Sequence, residues 1–165
     1  MSKRGSRLAS VLGAALVASL AWTSDSRAAV IFFEDFNTGT PATSYTGFTN
    51  WTVSAGTVDL IGNGYFDFYP GNGNYVDLNG SSGANGALKS NLVFGAGTYT
   101  LSFLLGGSTG GAQGVDLPNP KTTLVTLGRF SQEITLDPPP GLTTQSFTCS
   151  TTGGNLAFTS LSGGT

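Results

Sequence analysis

The sequence predicts an all-β protein, an antiparallel jelly roll or related β-sandwich, following a cleaved signal peptide. Three observations carry that expectation. Short runs alternate apolar and polar residues, most plainly Gly97-Thr98-Tyr99-Thr100-Leu101-Ser102-Phe103-Leu104-Leu105, and a period of two marks a strand with one buried face. Turn residues separate the runs: glycine alone fills 25 of the 165 positions, as many turns joining short strands require. No helical period follows residue 28.

The elements follow in order. Val30 to Phe36 is β-prone and apolar and reads as a first strand. Residues 37–50 form a Thr-, Gly- and Ser-rich loop with Pro41. Trp51 and Val53 share one strand face, Ala55-Gly56 turns the chain, and Val58 to Ile61 returns. In Tyr65-Phe66-Asp67-Phe68-Tyr69, Phe66 and Phe68 would point one way and Asp67 and Tyr69 the other. Gly71-Asn72-Gly73-Asn74 is a turn or loop. In Tyr75 to Leu78, Val76 and Leu78 face inward. Ala87 to Phe94 is a further strand, and in the next one Tyr99, Leu101, Phe103 and Leu105 make the core face. Residues 106–120 form a long loop of Gly, Ser, Asp, Asn and Pro. Strands resume at Thr122 to Leu127, Phe130 to Leu136, Thr143 to Cys149 and Leu156 to Leu161, with Pro138-Pro139-Pro140 as a stiff connector.

Residues 1–28 read as an address. Lys3, Arg4 and Arg7 precede an apolar run from Leu8 to Trp22, and Ser26 and Ala28 satisfy the small-x-small rule for cleavage after Ala28. The alternative is an uncleaved anchor, but the run is short for a membrane span. The expected organisation is therefore a signal peptide over 1–28 and a β-sandwich domain over 29–165. The location is outside the cytoplasm: periplasmic, cell-surface or secreted. No second apolar span follows, so the mature chain is not expected to insert in a membrane.

Charge narrows the partners. Four of seven basic residues (Lys3, Arg4, Arg7, Arg27) lie before Ala28, which leaves three against eight acidic ones beyond it, a net of −5. That is a poor match to nucleic acid, which demands clustered Lys and Arg, and to anionic membrane surfaces. Only 10% of residues are charged while 39% are apolar, which argues for a packed chain over a disordered acidic one. The lone Cys149 has no intramolecular disulfide partner and reads either as a half-buried strand cysteine or as one end of an intermolecular bridge.

Over about 55 residues the chain resembles a known family. The segments are Trp51-Thr52-Val53, Val58-Asp59-Leu60-Ile61, Val76-Asp77-Leu78-Asn79-Gly80 and Gly97-Thr98-Tyr99-Thr100-Leu101-Ser102-Phe103. They are similar to the galactose-binding-like jelly rolls of an uncharacterised family of plant cell-wall proteins. Its relatives include bacterial exported proteins with an exosortase (PEP-CTERM) sorting tail. The resemblance implies a jelly-roll sandwich with an extracellular, non-catalytic role in polysaccharide or matrix contact. Two departures stand out. The family's core strand continues into an asparagine-bearing segment where this chain has Gly106-Gly107-Ser108, and its closing aspartate-led strand and sorting tail have no counterpart before Thr165. The expectation is a domain truncated at its C-terminal end.

The chemistry-bearing residues are few. With no histidine, His-based triads and His metal ligands are excluded. Gly71-Asn72-Gly73-Asn74 lacks the following helix of a phosphate cradle. Asp59, Asp67 and Asp77 are carboxylates by type only and read as solvated or loop-bonded strand residues rather than a glycosidase pair. No cofactor is expected beyond a structural calcium, for which Glu34 and Asp35 could supply two oxygens; surface carboxylates are the plainer reading. The better lead is aromatic. Tyr65, Tyr69, Asn72, Asn74 and Tyr75 lie in one Gly/Asn-rich stretch. Sugar rings stack their C–H faces on aromatic planes while amides bind their hydroxyls. The expected function is a non-catalytic module binding carbohydrate or matrix polysaccharide. The alternative is a structural cell-surface or biofilm protein without a small ligand.

Overall fold

The computed structural model describes residues 29–81, 84–107, 121–136 and 142–162. The expected signal peptide, most of the long loop, the proline connector and the last three residues lie outside these. The chain divides into two compact units, Met1–Phe32 and Phe33–Thr165, and the second carries every strand. Among the described residues there is no helix, and none long and apolar enough to cross a membrane.

Nine strands follow in order: β1 Trp51–Ala55, β2 Asp59–Gly62, β3 Asn74–Asp77, β4 Ala87–Phe94, β5 Gly97–Leu105, β6 Lys121–Leu127, β7 Phe130–Leu136, β8 Thr143–Thr151 and β9 Gly154–Ser160. All pairing is antiparallel. Five strands form one sheet in the order β1-β4-β9-β6-β7, while β2-β3 and β5-β8 form two ribbons. β9, the last described strand, lies in the middle of the large sheet.

The pairing is nested. The hairpin β6–β7 turns at Gly128-Arg129, β5 pairs with β8 outside it, and β4 pairs with β9 outside that. The middle pair leaves the sheet that holds the inner and outer pairs. A doubled ribbon of this kind folds back on itself, so its apolar faces meet. The turn follows from local chemistry. Gly128 takes φ +58 at the first position of a two-residue loop, where a primed turn matches the twist of the strands.

The core lies between the large sheet and the ribbons. One row of the sheet runs through Val53, Leu88, Phe158, Val125 and Gln132, with Leu88 and Val125 buried. Phe103 of β5 meets Phe158 of β9 edge to face at 5.0 Å, and Phe147 of β8 lies 6.4 Å from Phe130 of β7. Trp51 is buried and stands 5.8 Å from Phe158. Tyr99, Leu101, Phe103 and Leu105 make the inner face of β5 as the alternation requires, each half-buried, while Leu104 points out. Cys149 is fully buried in β8 rather than half-buried.

Further local expectations differ from what forms. Residues 30–36 are irregular rather than a strand. There the Glu34 carboxylate accepts from the Phe36 amide (2.9 Å) and the Asp35 carboxylate from the Asn37 amide (3.0 Å). Such short side-chain bonds compete with a strand ladder, and Phe36 stands at φ +59. The turn at Gly56 does not make a hairpin either, because β1 pairs with β4 and β2 with β3. β2 is instead covered on both sides. Residues Ala42 and Tyr45 bond Leu60 and Val58 along one edge, β3 pairs with the other, and all four of its residues are buried.

Candidate functional site

Residues 65–73 fold as an irregular loop between β2 and β3, so Tyr65 to Tyr69 is not an extended run, and Asn74 and Tyr75 open β3. The loop's frame is a hydrogen-bond knot on the Tyr75 hydroxyl. That oxygen accepts from the amides of Phe68 (2.6 Å) and Tyr69 (3.0 Å) and donates to Asp67 Oδ1 (3.0 Å). Asp67 in turn accepts from the amides of Tyr69 and Gly64. Burial, first, and the Asp67 carboxylate push the Tyr75 phenol up to about 12. The Tyr69 ring packs on Tyr75 at 5.5 Å and its hydroxyl donates to the Gly107 carbonyl at 2.5 Å. A side chain at Gly106 would collide with that hydroxyl, so this glycine admits the tyrosine to the end of β5.

Asn74 is buried, and its polar atoms are all committed. Its side-chain amide donates to the carbonyls of Gly39 (2.9 Å) and Phe36 (3.3 Å). Its oxygen accepts from Asn63 Nδ2 (2.6 Å), and its backbone amide donates to Asn37 Oδ1 (2.9 Å). Asn74, Tyr69 and Tyr75 therefore hold the loop in shape.

Two rings remain outside. Tyr65 and Phe66 are 37% and 46% exposed and stand edge to face with centroids 4.8 Å apart. Phe66 at φ +45 and Asn63 at φ +50 both occupy the left-handed region, a strained position for an aromatic residue. The knot over-determines the loop and so holds this strain. Asn72 is exposed on the same loop, its amide donating to the Tyr69 carbonyl at 2.8 Å. Of the five residues expected to form a site, Tyr65 and Asn72 are presented to solvent. Phe66, which the strand reading turned toward Phe68, joins them.

Among the described residues, Glu34 and Asp35 gather no further acidic oxygens around them. Calcium takes six to eight converging oxygens. Glu34 Oε1 and Oε2 are engaged by the Phe36 amide and by Asn50 Nδ2 (2.9 Å). Asp35 is exposed and faces its own Asn37, whose hydrogen bonds hold its carboxyl below the usual carboxylate range. Among the described residues no group of three or more acidic, cysteine or histidine side chains comes together. Asp59 is buried by polar partners, accepting from the Ser44 amide (2.7 Å) and the Ser81 hydroxyl; Asp77 accepts from the Asn79 amide.

One concavity was not legible in the sequence. A cleft of about 120 Å³ opens among Glu34, Phe36, Thr38, Tyr45, Phe48 and Thr49, floored by Gly39, Gly47 and Leu60. Its residues come from segments with no periodicity. Their only signal is the recurrence of aromatics beside glycines and threonines between Glu34 and Thr49.

The chain matches no family model, no curated protein and no solved structure.

Proposed function

We propose that the protein is an exported, non-catalytic jelly-roll module that binds carbohydrate or extracellular matrix polysaccharide through the Tyr65–Phe66 rim. The observation that carries this reading is the exposed, perpendicular pair of rings on a strained loop. Exposed aromatic planes on a rigid frame offer a sugar ring a stacking surface at little cost in ordering. Asn72 stands on the same loop to meet hydroxyls. The nested pairs β4·β9, β5·β8 and β6·β7, alternating between layers, support a jelly roll of the galactose-binding-like kind. The basic, apolar and small-residue order of residues 1–28 supports export with cleavage after Ala28.

The second reading is a structural surface or biofilm matrix protein. Its support is the commitment of Tyr69, Tyr75 and Asn74 to internal bonds, which makes most of the loop scaffold. A glycan array and a pull-down on insoluble polysaccharides separate the two. Retention on at least one glycan supports the binding module; retention on none sinks it and leaves the structural role.

A further inference from the structure

We propose that Asn72-Gly73 is a modification site, where the asparagine side chain closes on the next backbone nitrogen and becomes aspartate or isoaspartate without an enzyme. Asn-Gly occurs four times, at residues 63–64, 72–73, 79–80 and 85–86. Asparagine is a thermolabile residue, and a following glycine has no Cβ to obstruct the approach of its nitrogen to the asparagine Cγ. By composition the four pairs are equal. The fold separates them.

The reaction needs a side chain that can swing toward its own backbone and a glycine amide that is open. At Asn63-Gly64 both are held: Asn63 Nδ2 donates to Oδ1 of the buried Asn74 (2.6 Å), and the Gly64 amide donates to Asp67 Oδ2 (3.2 Å). At Asn79-Gly80 the Asn79 side chain is tied to β9, its Oδ1 accepting from the Ser160 hydroxyl. At Asn85-Gly86 the attacking nitrogen is committed. Gly86 is buried and its amide donates to the Leu78 carbonyl at 2.8 Å.

Asn72-Gly73 lacks these restraints. Asn72 is exposed, and its side-chain bond to the Tyr69 carbonyl (2.8 Å) stays inside its own turn. The Gly73 amide has no partner among the described residues. The loop also demands this glycine. Gly73 stands at φ +74, and a Cβ there would lie 2.5 Å from Asn37 Oδ1, so the reactive partner of Asn72 is fixed by packing.

Water is the only co-reactant. The Gly73 nitrogen gives its proton to solvent base and bonds to Asn72 Cγ. The Cγ–Nδ2 bond breaks and ammonia leaves, which closes a five-membered succinimide. Water then opens either imide carbonyl, to aspartate or to isoaspartate with a backbone one carbon longer. The net change is asparagine plus water to aspartate plus ammonia, with nothing oxidised or reduced. Both products take the Nδ2 donor from the Tyr69 carbonyl and add a negative charge to the loop. The turn affected is Tyr69-Pro70-Gly71-Asn72, closed by the Asn72 amide on the Tyr69 carbonyl (3.3 Å) with Gly71 at φ +90.

The test ages the whole chain in mildly alkaline buffer, folded and in urea, and maps the products peptide by peptide by mass spectrometry with electron-transfer fragmentation. In the folded protein conversion should appear first at Asn72. Asn63, Asn79 and Asn85 should react at least about tenfold more slowly, because a tertiary bond or a buried amide must open first. In urea the four rates should converge. Asn72→Gln should remove the first acidic species seen on ion exchange. Conversion of another pair as fast as Asn72 in the folded protein would overturn the proposal, as would an Asn72 that stays intact when folded. The mapping needs no variant, and it reads a mass rather than an affinity, so its outcome is independent of whether the rim binds a sugar.

Discussion

Tyr75 shows how one hydroxyl organises a loop. It satisfies two backbone amides and one carboxylate at once. Tyr75→Phe takes the hydroxyl from the Phe68 amide, while the Tyr69 amide keeps Asp67 Oδ1 and Asp67 keeps two amides, at a cost of roughly 1–3 kcal/mol. The titration adds a second signature. The phenol is raised to about 12 in the folded chain against 10.0 ordinarily. Between these values the unfolded state has lost its proton and the folded state keeps it, so stability falls as pH rises through that window. Below pH 10 the contribution is complete. A urea midpoint followed from pH 9 to 12 should drop more steeply for wild type than for Tyr75→Phe; parallel curves would detach the hydroxyl from the knot. The same residue marks a limit of reading composition. Tyr65, Tyr69 and Tyr75 look alike in the sequence, and only the folded loop separates the exposed ring from the two that brace it, because a segment without periodicity does not specify which side chains face in.

At the level of elements, alternation was a dependable guide to faces and a poor one to partners. β5, β6 and β7 place their residues as a period of two demands. β2 gave no such sign, since it is buried on both faces and reads as a short apolar run. The turn at Gly56 looked like a hairpin, yet the chain passes there from the large sheet to the β2-β3 ribbon. Which strand pairs with which depends on contacts far apart in the chain, such as Ala87 with Thr159, and a local window holds no record of them. Residues 30–36 have strand composition, but Glu34 and Asp35 offer their neighbours' amides a closer partner. The face assignment makes a paired prediction. Leu127 of β6 is 2% exposed and opposes Leu156, whereas Leu104 of β5 is 57% exposed. Leu127→Ala should cost about 2–5 kcal/mol in urea denaturation, and Leu104→Ala less than about 0.5 kcal/mol. A large cost for Leu104 would mean that the outer face of β5 is covered.

Across the whole domain, strain and exposed aromatic rings coincide. The large sheet and the β5-β8 ribbon hold the core through Phe103, Phe147 and Phe158, and the strained non-glycine residues all lie in the loops around β2. At Tyr65 and Phe66 the left-handed loop geometry lies beside two solvent-facing rings, and the proposed binding role rests on that pairing. Composition pointed to the Tyr65–Tyr75 loop and to sugar stacking. The structure narrows the presented groups to Tyr65, Phe66 and Asn72, and adds a cleft whose residues lie too irregularly in the sequence to announce themselves. The most direct measurement is electrophoretic retardation in gels carrying the polysaccharide that the protein retains best. Wild type is compared with the Tyr65→Ala/Phe66→Ala double variant, both checked for the same melting temperature. Stacking on the rim predicts that the variant loses at least about tenfold in affinity, since each ring contributes roughly 0.5–1.5 kcal/mol beyond its buried area. Equal retardation of the two proteins would contradict the account.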